Sequence, residues 1–315
     1  MEIERKYNNP LAEVFGFPII DETAKATRYR DKKLYVQDRQ PKIVNVASVP
    51  QRSPFRYPGG KTWLIPTVRQ WLRQANPVEL LIEPFAGGGI VSLTAAFENL
   101  SDDIVMVELD EEVAAVWEVI LNGKNDWLAN KILNFELTLD NVLFEFNKPD
   151  KDTKDMAFCT ILKNRTYHGG IIAKGSGMIK HGENGKGIAS RWYAKTLAER
   201  IKAINFVKHK ISFVQADAFK IIEENSMNKN AFFFIDPPYT VAGKRIYTHF
   251  NFDNERLFSL ISKTEGRFML TYDDAEEIRL LAQKYKLSFR TVAMKTTHHL
   301  EKNEIIISDN FKWWK

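Results

Sequence analysis

Cysteine is almost missing from this chain: its 315 residues hold one, Cys159. A lone thiol excludes a disulfide framework, a cysteine-based zinc site and an iron–sulfur cluster, and Cys159 is expected to be a small buried apolar side chain. Histidine is also scarce. His168, His181, His209, His249, His298 and His299 show no H-x-x-x-H or H-E-x-x-H spacing, so no two imidazoles share a helix face and no protein-held metal is expected. No run approaches the roughly 18 to 20 apolar residues of a membrane helix, and the start, MEIERKYNNP, has neither a basic nor an apolar leader region. These absences predict a cytoplasmic protein with no membrane partner. Neither G-x-x-x-x-G-K-[ST] nor G-x-G-x-x-G occurs, so nucleotide phosphates are not the obvious ligand.

What is present is ordinary in amount and uneven in placement. Hydrophobic residues at 44% and charged residues at 27% rule out global disorder. The net charge is only +5, but Thr160 to Lys210 carries eleven basic residues against Glu183 and Glu199, a local +9 in a chain whose remainder sums to −4. Concentrated positive charge is the footprint of phosphate-backbone binding, although a solvated surface run gives the same count. Seven glycines between Gly169 and Gly187, interleaved with Lys174, Lys180 and Lys186, predict an irregular segment lying against phosphates.

Around this segment the pattern alternates between strand and helix. A helix is expected over Thr62–Leu72, then strand Glu79–Glu83, helix Val91–Asn99, strand Ile104–Glu108 and helix Glu111–Leu121. A long helical pattern covers Asp126–Phe146, and Met156–Lys163 continues it. After the glycine-rich stretch come a helix at Ala194–Ile204 and strands at Ile211–Gln215, Ala231–Ile235, Arg267–Thr271, Leu287–Met294 and Glu304–Ser308. This predicts an α/β fold with a parallel sheet covered on both faces, interrupted by an insertion. Pro10, Pro18, Pro41 and Pro50 mark the start as an extension. The division is 1–52 extension, 53–140 and 205–315 catalytic body, and 141–204 inserted basic recognition domain.

Two strand ends carry chemistry. After the apolar strand AFFFI stands Asp236-Pro237-Pro238-Tyr239. Two prolines remove two N–H donors and leave a rigid, acceptor-rich turn beside an aromatic ring. Such a turn suits an exocyclic amine, with Asp236 and the Pro237 carbonyl each accepting an N–H and Tyr239 stacking on the base. Glu83-Pro84-Phe85-Ala86-Gly87-Gly88-Gly89 ends the first strand, and Glu108 follows at the end of the next, where a Rossmann-type fold binds ribose hydroxyls. A nucleoside site without a pyrophosphate loop points to S-adenosylmethionine.

The order Phe55-Arg56-Tyr57-Pro58-Gly59-Gly60-Lys61, then EPFAGGG, then DPPY, resembles the Dam-like (D12) class of DNA adenine-N6 methyltransferases over roughly Ser53 to Asn310. The resemblance implies a Rossmann-like S-adenosylmethionine-dependent methyltransferase fold with an inserted target-recognition domain, acting on double-stranded DNA in a restriction-modification or related defence system, with a cognate endonuclease as a further partner. It implies that Tyr57 and Lys61 hold the methionine end of the cofactor, that Glu83, Phe85, Gly87 and Gly89 form the cofactor turn, that Glu108 takes the ribose, and that Asp217 contacts the adenine amine. It assigns catalysis to Asp236, Pro237, Pro238 and Tyr239, with Asp236 also facing the cofactor. For DNA contact, Asn164, Arg165, Tyr167 and His168 resemble the family's Asn-Arg entry to the recognition segment, and Lys180, Lys186 and Arg191 are further candidates. Tyr167-His168-Gly169 replaces the usual aromatic-Asn-Gly, which removes the basis for expecting a GATC target. Cytosine-N4 methylation and a catalytically silent DNA-binding module of this fold remain open. Cytosine-C5 chemistry would need an activated cysteine, which the surroundings of Cys159 do not supply.

Overall fold

The computed structural model describes residues 48–56, 59–75, 77–173, 175–182, 185–238, 252–295 and 301–314. A seven-stranded sheet organises them: β1 (Val78–Glu83), β2 (Ser101–Glu108), β3 (Ile211–Gln215), β4 (Ala231–Ile235), β5 (Arg267–Asp273), β6 (Ser288–Lys295) and β7 (Glu301–Ser308), in the order β3-β2-β1-β4-β5-β7-β6. The first five run parallel. β7 is antiparallel to both β5 and β6, which corrects the expectation of a wholly parallel sheet. The chain enters the sheet at β1, works outward through β2 and β3, and returns to place β4 on the other side. The strand order therefore reverses between β1 and β4, and the crevice at the carboxyl ends of these strands is where open α/β sheets hold ligands.

Side chains alternate across the sheet as strand geometry requires. Phe232 and Phe234 join Leu81, Met106, Met269 and Ile306 on one face, whereas Ala231, Phe233 and Ile235 join Leu270, Tyr272, Ile305 and Ile307 on the other. On the first face lie a short 3₁₀ turn at Lys61–Leu64, α1 (Ile65–Leu72), α2 (Ile90–Phe97) and the long excursion between β2 and β3. α8 (Ala218–Glu224), α9 (Asn254–Ile261) and α10 (Glu276–Lys284) cover the second. Those three helices lie where the sequence reading gives no element, although α9 carries a usable signal: Asp253 caps it, accepting from Arg256 N, before Leu257, Phe258 and Ile261 at helical spacing.

The excursion comprises α3 (Glu111–Val119), α4 (Asn125–Asn134), α5 (Leu139–Asn147), α6 (Thr153–Thr166) and α7 (Ala194–Ile204). The continuous helical pattern predicted over 126–146 is broken here into α4 and α5. Val142, Phe158, Ile161, Leu197 and Ile201 belong to the same buried cluster as Leu81, Ile104 and Trp117, so residues 141–204 share a core with the sheet. Residues 48–52, read from sequence as extension, also pack on this body. Val49 is buried, and Arg52 pairs with Glu98 at 2.9 Å. Among the described residues no helix is long and apolar enough to cross a membrane.

Candidate active site

The turn after β1 is shaped by its glycines. Gly87 and Gly89 take φ values of +46° and +61°, and a Cβ on Gly89 would stand 2.6 Å from Met106 Cε and 2.8 Å from Trp117 Cζ2. Only glycine fits there. Trp117 Nε1 donates to the Gly87 carbonyl at 2.9 Å, and Gly87 N donates to Glu108 Oε2 at 2.9 Å, which ties the turn to α3 and to the end of β2. The other Glu108 oxygen accepts from Leu109 N at 2.8 Å and Asp110 N at 3.0 Å. Oε2, with one N–H accepted, keeps a further lone pair, so Glu108 remains able to accept from a ribose hydroxyl.

Three carboxylates share this crevice. Glu83 is buried at the end of β1, and its Oε2 accepts from the backbone N–H and hydroxyl of Ser92. Burial pushes its carboxyl up to about 8, with Asp236 and Glu108 adding to the shift against the pull of Ser92. Burial also raises Glu108. Glu83 thus keeps its proton at neutral pH, and a positively charged occupant would be met by Glu108 and by Asp236 beside Lys61. S-adenosylmethionine carries a sulfonium and an ammonium, and the donor set fits it. Asp217 caps α8 through Phe219 N at 2.8 Å and stands next to the end of β2, where Ala216 N meets the Glu108 carbonyl at 3.2 Å.

Asp236 follows β4 on the crevice side. Its Oδ2 lies 2.9 Å from Lys61 Nζ, and its Oδ1 accepts from Thr271 Oγ1 at 2.8 Å. Lys61 is 3% exposed; it also donates to the Gly59 carbonyl at 2.8 Å and lies 3.9 Å from Glu304 Oε2. The structure thus sets Lys61, which the resemblance places at the cofactor, beside Asp236, which it places there too. Pro237 is buried and Pro238 half-buried. Tyr57 and Tyr239, as well as the extension over 1–47, lie outside the described residues.

Thr271 and Glu304 escape sequence reasoning, and so does an aromatic cluster under the crevice. Phe85 meets the edge of Phe252 at 5.5 Å, Phe219 stacks on Phe252 at 5.2 Å, and the Arg256 guanidinium sits 4.5 Å over Phe219.

The expected DNA contacts divide sharply. Asn164 and Arg165, read from sequence as facing DNA, are buried. Asn164 clamps the segment before the YPGGK turn, accepting from Arg56 N at 2.9 Å and donating to the carbonyls of Arg56 at 3.0 Å and Gly170 at 2.9 Å. A Cβ on Gly170 would stand 2.6 Å from the Arg56 carbonyl, so this crossing also requires glycine. Arg165 donates to the Pro54 carbonyl, and burial together with Arg200 and Arg56 pulls its guanidinium down to about 9. Tyr167 is half-buried against the Phe146 ring at 5.9 Å. His168, Lys180 and Lys186 are exposed, and Arg191 is half-buried. Cys159 is buried, and its thiol is pushed up to about 11, the opposite of a nucleophile.

No curated protein sequence matches the chain significantly. Solved structures with a low-level similarity to the chain include a precorrin-6y C5,15-methyltransferase from Geobacter metallireducens GS-15 (9% identity, 78% of this chain and 86% of that one, TM-score 0.34). Others are an SAM-dependent methyltransferase from Agrobacterium tumefaciens (8%, 79% and 62%, 0.38) and a spermidine synthase from Thermotoga maritima (10%, 85% and 60%, 0.35). Likeness at this level adds nothing to the strand order itself. The pattern of the D12 class N6 adenine-specific DNA methyltransferases, in contrast, matches residues 57–297. That span runs from the YPGGK turn through both strand-end motifs to the β6–β7 connection, and the chain belongs to this family of S-adenosylmethionine-dependent adenine-N6 methyltransferases.

Proposed function

We propose that the protein methylates N6 of adenine at a specific sequence in double-stranded DNA. The observation that carries this reading is Asp236, a carboxylate held through both oxygens at the strand-order reversal and followed by two residues that have no N–H to offer. S-adenosylmethionine supplies a methyl group on a positively charged sulfur. Asp236 and the Pro237 carbonyl accept the two N6 hydrogens, which fixes the direction of the nitrogen lone pair and stabilises the positive charge that develops on it as the N–CH3 bond forms and the S–CH3 bond breaks. The nitrogen then releases one of these hydrogens as a proton to solvent, leaving a neutral thioether and neutral N6-methyladenine. No covalent enzyme intermediate is required, in keeping with the inert Cys159. The base must leave the duplex to reach this crevice, and we assign Tyr239 as its stacking platform.

Tyr57, Lys61, Glu83, Phe85, Gly87, Gly89, Glu108, Asp217 and Asp236 are the proposed cofactor contacts. We assign recognition of the target to residues 141–204, with 53–140 and 205–315 as the catalytic body. Exposed Lys180 and Lys186 are the proposed phosphate contacts, joined by His168, Tyr167 and Arg191, while Asn164 and Arg165 shape the segment that presents them. The proposal extends to a restriction-modification or related defence system with a cognate endonuclease, supported by the family resemblance alone.

The test is nucleoside mass spectrometry on methylation-free DNA incubated with purified protein and S-adenosylmethionine. The reading predicts N6-methyladenine, absent with Asp236→Ala. N4-methylcytosine would move the substrate, and no product with cofactor bound would mark a silent binding module.

A further inference from the structure

Thr271 is a polar exception in an apolar strand. It is fully buried on β5, among Phe268, Met269, Leu270 and Tyr272, which are also buried. Burying a hydroxyl is costly unless it finds a good acceptor. The neighbouring Ile235 carbonyl, at 3.5 Å, is a poor one, and Asp236 Oδ1 at 2.8 Å is the good one.

Sheet geometry explains the meeting. β4 and β5 pair in parallel with Ile235 opposite Leu270, so the next residues, Asp236 and Thr271, are neighbours at the carboxyl edge. Side-chain alternation places Asp236 in the row of Phe234, Thr271 in the row of Met269 and Glu304 in the row of Ile306. These three rows share one sheet face. Lys61 approaches from the same face, carried by the 3₁₀ turn whose Trp63 and Leu64 are packed into it. Glu304 stands behind Lys61 at 3.9 Å, itself 6% exposed.

We propose that Thr271 is a positioning residue for methyl transfer: its hydroxyl on Oδ1, opposite the Lys61 ammonium on Oδ2, stops rotation of the Asp236 carboxylate and aims its remaining lone pairs at the target amine. The inference rests on Asp236 as the amine acceptor. With one oxygen held, a carboxylate still rotates about its last bond, a broad and soft torsion. With both held, the acceptor direction is set before the base arrives. That contribution belongs to the transfer step more than to binding.

The experiment compares Thr271→Val, which keeps the branched shape without the hydroxyl, with Thr271→Ser, which keeps the hydroxyl. Single-turnover methyl transfer, KM for DNA, cofactor Kd and Tm are measured on the full chain, beside Asp236→Ala. The expected result is a loss of about 10- to 100-fold in transfer rate for Thr271→Val, the loss expected from one hydrogen bond to a charged group. KM and Kd should stay near wild type, and Thr271→Ser should recover most of the rate. If Thr271→Val does not fold, Thr271→Ala against Thr271→Ser gives the same contrast. A wild-type rate in a hydroxyl-free variant, or an equal loss in Thr271→Ser, overturns the role. An active Asp236→Ala would instead overturn the assignment of Asp236, so the two failures are distinguishable.

Discussion

Lys61 and Thr271 hold the two oxygens of Asp236, the proposed amine acceptor, and 20% of its side chain stays exposed. Asp236→Ala removes the proposed amine acceptor but none of the contacts among Gly87, Glu108 and Trp117. Transfer should fall by about 100-fold or more, while calorimetry should show cofactor binding within a few-fold of wild type; loss of cofactor binding would contradict the separation of roles. Glu83 makes a second prediction, in pH. Its folded value of about 8 stands above the ordinary 4.5, so the folded state binds the proton more tightly than the unfolded chain does. Its contribution to stability is therefore full below pH 4.5, declines as pH rises, and is lost once pH passes about 8. Denaturant unfolding at pH 6 and at pH 8.5 should show wild type losing more stability across that interval than Glu83→Gln. Equal losses would contradict the buried-acid account.

At the scale of elements, the turn between β1 and α2 depends on glycine conformation and on close packing together. Gly89→Ala forces a side chain into positive φ and against Met106 and Trp117. It should cost about 1 to 3 kcal/mol of stability and weaken cofactor binding; a melting curve and a titration unchanged from wild type would refute this. β1 and β4 were legible in the sequence because they are short apolar runs that end in charged, glycine-rich or proline-rich turns, and the motifs sit at those ends. Other elements carried less signal. For α6 the pattern covers only Met156–Lys163 of Thr153–Thr166, since residues from Ala157 through Thr166 are buried with few gaps and give little contrast between faces. Thr271 and Glu304 were out of reach for a different reason. They join Asp236 only through pairing of strands that are 35 and 68 residues further along the chain, and no local pattern reports that register.

For the whole molecule, the basic segment proves narrower than its charge count. Lys163 pairs with Glu112, Arg165 is buried on the Pro54 carbonyl, and Lys210 is occupied by Asn99 and the Ser101 carbonyl. Composition could not separate these from Lys180 and Lys186, because one-dimensional charge carries no burial. If Lys180 and Lys186 track phosphates, Lys180→Ala with Lys186→Ala should weaken DNA binding regardless of sequence. It should also make the slope of log affinity against log salt shallower by about 1 to 2. Parallel slopes would reduce them to solvated surface charge.

The central claim joins the reaction, the substrate and Asp236. Modification-sensitive long-read sequencing tests it most directly, on DNA from methylation-free cells expressing wild type beside cells expressing Asp236→Ala at equal level. The account predicts N6-methyladenine in one fixed sequence context with wild type and none with the variant. Methylated cytosine instead, or adenine marks that persist with Asp236→Ala, would contradict it.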